Sequence, residues 1–63
     1  MTDVEAVDEA YVASIKGLYD VMSTSFILAK GNAEKEQQAE AAFASALAFA
    51  RKVRDRAKVV AGR

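Results

Sequence analysis

The stretch Lys30-Gly31-Asn32 divides a 63-residue chain into two arms of nearly equal length. Glycine takes the left-handed conformation that follows a helix C-terminus more readily than other residues, so Gly31 predicts the end of a helix with Lys30 in its last turn. Asn32 is a preferred N-cap, which predicts a second helix beginning at Ala33. A signal for the end of one helix, followed at once by a signal for the beginning of another, predicts a tight corner between two antiparallel helices. The alternative is one continuous helix with an interior glycine, at a cost of about 1 kcal/mol.

The first arm has the features of one long helix. Thr2 and Glu5 have the spacing of a capping box, which predicts a helix beginning near Asp3. The apolar residues follow steps of three and four that repeat every 11 residues, a spacing typical of nearly straight helix packing. This line consists of Val4, Val7, Tyr11, Ile15, Leu18, Met22, Phe26 and Ala29.

The second arm carries a line with a seven-residue repeat, which consists of Ala39, Phe43, Ala46, Ala50, Val53, Ala57 and Val60. Most of its members are alanines, which allow helices to approach closely. The sequence therefore predicts one domain made of a helix of about residues 3–30, a turn at 31–32 and a helix of about 33–61.

Two local features of the first arm depart from an ideal helix. Gly17 disfavours a helix interior, so we expect a close backbone approach there, next to the small residues Ala10, Ala13 and Ser14. The run Ser23-Thr24-Ser25 is expected to keep the helix intact through hydroxyl groups that bond to the preceding turn. A polar layer or a local bend is the alternative for this run.

The composition argues against enzymatic chemistry. The chain has no His and no Cys, so the common general base, the thiol nucleophile and the usual zinc ligands are missing. We therefore expect no catalytic residues, no metal and no cofactor. The acidic N-terminus and the absence of a long apolar run predict neither a signal peptide nor a membrane span. We expect a small cytoplasmic protein of bacterial type.

A single hairpin has too few contacts for its apolar residues. Two helices meet along one line, whereas the apolar side chains here cover several stripes. Small chains without a disulfide or a metal usually gain the missing core by oligomerisation. The sequence therefore predicts a homo-oligomer, with a two-fold dimer that forms a four-helix bundle as the commonest case. The expected oligomer or partner interface consists of Tyr11, Ile15, Leu18, Met22, Phe26, Ile27, Leu28, Phe43, Leu47, Phe49 and Val53.

Charge is distributed unevenly along the chain. Acids concentrate near the N-terminus, and bases concentrate between residues 51 and 58, so a hairpin brings the two groups together. Pairing between these groups is one interpretation of the basic stretch. Contact with nucleic-acid phosphates is the alternative, and it would use Arg51, Lys52, Arg54, Arg56 and Lys58.

These observations predict a non-enzymatic helical hairpin that acts by self-association and by protein–protein interaction, as an adaptor, regulator or structural module. The apolar residues Phe26, Ile27 and Leu28 beside the corner, with Phe49 on the second arm, are the expected contact surface. One alternative is a nucleic-acid-binding regulator. Another is an accessory subunit of a larger enzyme or secretion complex, which would gain its full helix content only with its partner.

Overall fold

The computed structural model describes all residues, Met1–Arg63, and consists of two α-helices joined by a tight corner. Helix α1 spans Asp3–Ala29 and helix α2 spans Ala33–Ala61. The helices pack against each other along the length of the chain, which confirms the predicted all-α helical hairpin. Neither helix has an apolar stretch of the length that crossing a lipid bilayer requires.

The first helix begins at the predicted capping box. The Thr2 side-chain oxygen accepts a hydrogen bond from the Glu5 backbone N–H at 3.1 Å. The Thr2 hydroxyl also donates to the Glu5 carboxylate at 3.1 Å, so the carboxylate reaches the side chain of the cap instead of its backbone N–H. Both contacts hold the first turn in place, and the acids of this turn suit the positive end of the helix dipole.

The corner uses two left-handed residues where one was expected. Lys30 has φ 52° and ψ 42°, and Gly31 follows with φ 78°. The helix therefore ends at Ala29, and Lys30 lies outside the last turn in which the sequence placed it. The Asn32 side chain accepts a hydrogen bond from the Lys35 backbone N–H at 3.0 Å, which confirms its prediction as the N-cap of α2.

The molecule is a single layer of two helices. Its Cα atoms extend over 47 × 17 × 7 Å, and their radius of gyration is 14.7 Å, whereas a compact chain of this length would have about 11 Å. Ala29, beside the corner, is the one buried residue. The other apolar residues between the helices are partly buried, because one layer covers each helix on one side only.

The line of contact between the helices, here called the seam, confirms the apolar line of α1 and corrects that of α2. Val53 and Val60 are 50% and 62% exposed, while Arg54 and Ala61 are partly buried in their place. A seven-residue line drifts by about 20° around a straight helix with each repeat. The seam of α2 follows the same 11-residue spacing as α1, so Val53 and Val60 turn out of it.

The polar run of α1 leaves the helix intact. The Thr24 hydroxyl donates to the Asp20 carbonyl at 3.1 Å, and the Ser25 hydroxyl donates to the Val21 carbonyl at 3.0 Å. Helix α1 continues through the run without a break. The expected bonds to the preceding turn are therefore confirmed for these two residues.

Candidate interaction face

One side of the hairpin carries an open apolar groove of about 680 Å³, here called the groove face. It runs between the two helices in the half of the molecule away from the corner. Arg54, at the floor, is the one charged residue among those that line it. The walls consist of Ala10, Ser14, Gly17 and Val21 from α1 and of Ala46, Phe49 and Val53 from α2.

The walls of the groove face follow from helix geometry. Residues three and four apart lie on the same side of a helix, so the spacing from Ala10 to Val21 and that from Ala46 to Val53 each produce one stripe. Phe49 is 69% exposed and Val21 is 65% exposed, although both are large and apolar. Nothing in the hairpin covers them, and this side of the single layer is therefore available to a partner.

Gly17 belongs to the stripe of α1 that forms one wall of the groove face. A Cβ atom added at Gly17 would meet no atom within 4 Å. The close backbone approach expected there is therefore not made by α2, and that expectation is wrong for the isolated hairpin. The glycine instead leaves an open hollow in the wall of α1, beside the exposed ring of Phe49.

The opposite side, here called the charged face, carries Asp8 of α1 and Glu40, Arg51 and Lys58 of α2, one stripe further round each helix from the seam. Lys58 forms an ion pair with Asp8 at 3.1 Å. The predicted meeting of the acidic start with the basic finish is confirmed by this contact. Val12 and Tyr19, seven residues apart on α1, are 52% and 64% exposed on the same side.

Arg54 connects the two helices at the seam. Its guanidinium lies 4.4 Å from the centre of the Tyr11 ring and donates to the Asp55 carboxylate at 3.0 Å. This hydrogen bond, with smaller contributions from the charges of Asp55, Tyr11 and Asp8, raises the pKa of Arg54 above its usual value. The guanidinium is therefore charged under all physiological conditions, and its stem covers part of the floor of the groove.

The structure divides the predicted interface residues into two groups. The seam of the hairpin takes up seven of them, all partly buried: Tyr11, Ile15, Leu18, Met22, Phe26, Phe43 and Leu47. The other four are exposed and free to contact another molecule: Ile27, Leu28, Phe49 and Val53.

The residues beside the corner do not form one surface. Phe26 packs in the seam, and Ile27, which is 74% exposed, lies on the side of α1 away from α2. Leu28 lines a smaller and more polar hollow of about 410 Å³ that continues the groove face toward the corner. Three consecutive helical residues point in three directions, so they belong to different environments.

The five bases proposed for nucleic-acid contact are also divided. Arg54 and Lys58 are held by contacts within the hairpin. Arg51, Lys52 and Arg56 are exposed and have no acidic partner within 4 Å. Lys52 and Arg56 are four residues apart and share one stripe of α2, whereas Arg51 lies about 100° round the helix from Lys52.

Comparisons with known proteins supply no relative. No protein-family model matches the chain, and neither the search of curated proteins nor the search of solved structures found a match. No group of acidic side chains has the arrangement of a metal site.

Of the groove walls, the sequence-based interface contained Phe49 and Val53 and lacked the other five residues: Ala10, Ser14, Gly17, Val21 and Ala46. A usable signal was present, because Val21 stands four residues after Gly17 and lies off the apolar line of α1. On a helix, an apolar residue off the main line begins a second stripe. The stripe is hard to recognise from sequence because its other members are Ala10, Ser14 and Gly17, which are small.

Proposed function

We propose that this chain is a non-enzymatic helical-hairpin module that acts by self-association and by protein–protein interaction through its groove face. The groove face carries this proposal, because a single layer of helices leaves large apolar side chains on one side without a partner. Pairing of two hairpins would add the second layer and produce a dimeric four-helix bundle.

The exposed area agrees with this proposal in magnitude. The hairpin exposes 4835 Å². A compact monomer of its mass, 6.8 kDa, would expose about 3,950 Å². The excess of about 900 Å² is close to the roughly 800 Å² that each partner contributes to a standard protein–protein interface. The hairpin as a whole therefore exposes an excess of surface equal to what one ordinary interface would cover.

Phe49→Asp tests the proposal. Phe49 is 69% exposed in the hairpin, so its replacement removes little from the single chain but places a charge in the apolar face. Central aromatic residues of interfaces contribute about 2–4 kcal/mol, so we expect the dissociation constant of the dimer to rise at least about 30-fold. Sedimentation equilibrium over a dilution series measures this constant directly.

Tyr19→Asp is the matched control, because Tyr19 is also aromatic and is 64% exposed, but lies on the charged face. We expect its dissociation constant to stay within about threefold of the starting value, a change below 1 kcal/mol. A monomeric starting chain, or equal effects of the two variants, would contradict self-association through the groove face. A chain that gains helix only in a mixture with another protein would favour the accessory-subunit alternative.

The nucleic-acid alternative depends on the exposed bases Arg51, Lys52 and Arg56. Phosphate contacts of this kind weaken steeply as salt rises, so binding would be strongest at about 50 mM salt. A titration of labelled RNA and DNA at that salt concentration tests it. Replacement of these three residues by Ala would abolish such binding and leave the dimer intact, whereas an absence of binding would remove this alternative.

A further inference from the structure

We infer that the occupant of the groove is a second copy of this chain in one particular arrangement: the two corners lie at the same end, α1 of each chain faces α2 of the other, and Phe49 of each chain packs over Gly17 of its partner. This inference rests on the proposed self-association and adds its geometry. It is carried by the exposed area, by the match of side-chain sizes across the groove, and by the distribution of charge between the helices.

Contacts within the hairpin define which residues lie side by side. Tyr11 lies beside Arg54, and Asp8 lies beside Lys58. Continuing these pairs at the same rise per residue places Gly17 at the height of Phe49. The same reasoning places Ser14 near Val53 and places Val21 near Ala46, all of them residues of the groove walls.

At three heights, those of Ser14, Gly17 and Val21, one wall of the groove is small where the other is large. Away from the corner, α1 presents Ala10, Ser14 and Gly17 beside the larger Phe49 and Val53 of α2. Toward the corner the sizes reverse, because α1 presents Val21 where α2 presents Ala46. A second hairpin turned about the long axis brings α2 over α1 at equal height, so that large side chains face small ones at these three heights.

The centre of the groove shows the best match. A Cβ at Gly17 would meet no atom within 4 Å, and the ring of Phe49 is 69% exposed at the same height. In the inferred arrangement each ring enters the hollow of the partner's glycine. With the corners at opposite ends and the two-fold axis at the height of these residues, Gly17 would face the partner's Gly17 and Phe49 would face the partner's Phe49. One pair of helices would then have a gap and the other would be held apart.

The charges of the two helices suit this pairing. Helix α1 carries five acids and one base, while α2 carries four acids and six bases. The acids of α1 concentrate at the open end of the hairpin, as do the bases of α2. Glu9 of α1 and Lys52 and Arg56 of α2 are exposed outside the charged face, and facing α1 with the partner's α2, both open ends together, brings these opposite charges to the same rim of the interface.

Spin labels near the corner distinguish the two arrangements. Glu34 is exposed in the first turn of α2 and makes no ion pair. Because the chain has no cysteine, Glu34→Cys places one label on each copy. Layers about 8–10 Å apart would place labels at the same end about 20–30 Å from each other. Corners at opposite ends would separate them by about 45 Å, from the rise of 1.5 Å per residue.

Each outcome of double electron–electron resonance on the labelled dimer decides the inference. A distance of about 20–30 Å supports corners at the same end. A distance near the 47 Å length of the hairpin overturns this arrangement but leaves the proposed self-association standing. A chain that light scattering shows to be monomeric overturns both. The distance therefore separates failure of the geometry from failure of the proposed function.

A cross-link provides a second measurement that does not depend on the corner. We expect a disulfide between copies when Ser14→Cys and Val53→Cys chains are mixed and oxidised, because the inferred arrangement brings these positions together across the interface. Neither variant alone should form a covalent dimer at a comparable rate. Efficient cross-linking of either single variant, without the heterodimer in the mixture, would contradict the inferred pairing.

Discussion

The two faces of this hairpin are made from the same two helices but leave their side chains in different situations. On the charged face, Asp8 and Lys58 meet at 3.1 Å, and Val12 and Tyr19 are exposed outside the groove. On the groove face, Phe49 and Val53 border a continuous apolar groove of about 680 Å³. Charged groups find partners in the chain or in water, whereas a continuous apolar surface gains free energy only when another surface covers it.

The comparison shows that exposure alone does not identify an interaction surface. Tyr19 and Phe49 are both aromatic and are exposed to a similar degree, 64% and 69%. Their surroundings differ, because Phe49 lines the apolar groove together with Gly17, while Tyr19 lies on the opposite face and outside that groove. The difference in surroundings, rather than the exposed area of one side chain, makes the groove face the candidate interface.

Valines on the two faces offer the strongest test of this comparison. Val53 is 50% exposed on the groove face, and Val12 is 52% exposed on the charged face. Val53→Asp would bury a charge in the dimer, so we expect its dissociation constant to rise at least about tenfold, or 1.4 kcal/mol. Val12→Asp should leave it unchanged. Sedimentation equilibrium measures both, and an equal effect of the two variants would mean that the faces do not differ.

A methyl group at Gly17 should have opposite effects on the single chain and on the dimer. The hairpin has room for it, and alanine favours a helix interior over glycine by about 1 kcal/mol, so Gly17→Ala should raise the helicity of the monomer. The same methyl group would partly fill the hollow that receives Phe49, and we expect weaker dimerisation by about 1–3 kcal/mol. Circular dichroism melts at low and high protein concentration measure the two effects separately.

Ala13 provides the control for Gly17→Ala, because it is exposed on α1 outside the groove walls. Ala13→Gly should destabilise the helix by about 1 kcal/mol at every protein concentration, since it changes helix propensity alone. If Gly17→Ala stabilised the chain equally at low and high concentration, no partner would approach Gly17, and the inferred contact with Phe49 would be excluded.

The ion pair on the charged face should give the smallest effect. Lys58 and Asp8 both keep a large exposed fraction, 39% and 50%, so their pair is screened by water and salt. Asp8→Asn should lower the free energy of unfolding by about 0.2–1 kcal/mol at low ionic strength and by less at high salt. Asp20→Asn, which removes an exposed acid without an ion pair, is the control. Urea unfolding at two salt concentrations measures both, and a loss that salt does not reduce would contradict this account.

Local signals predicted the elements of the fold with few errors. The capping box at Thr2, the left-handed Gly31 and the N-cap at Asn32 each depend on neighbouring residues, and the structure confirms all three. The second left-handed residue, Lys30, was missed because no local preference favours lysine in that conformation.

The candidate site was harder to predict, because it depends on how two helices turn relative to each other. A seven-residue line placed Val53 and Val60 in the seam. The contact residues of α2 instead repeat every 11 residues, because the helix packs along a straight partner with that spacing. Arg54 and Ala61 therefore occupy the seam, and the two valines are exposed. The preferences of single residues do not predict this outcome, since valine is compatible with a helix position in the seam and with one outside it.

The sequence by itself determined the two helices, the corner between them and the excess of apolar side chains over one line of contact, because caps, glycine and apolar spacing act over a few residues. The tertiary structure decided which apolar residues that excess consists of. Packing one straight helix against the other partly buried Phe26 and Phe43 in the seam and left Phe49 and Val53 exposed outside it. The physical reason is that each straight helix turns toward its partner at one angle over its whole length. Residues at both ends of the chain determine that angle together.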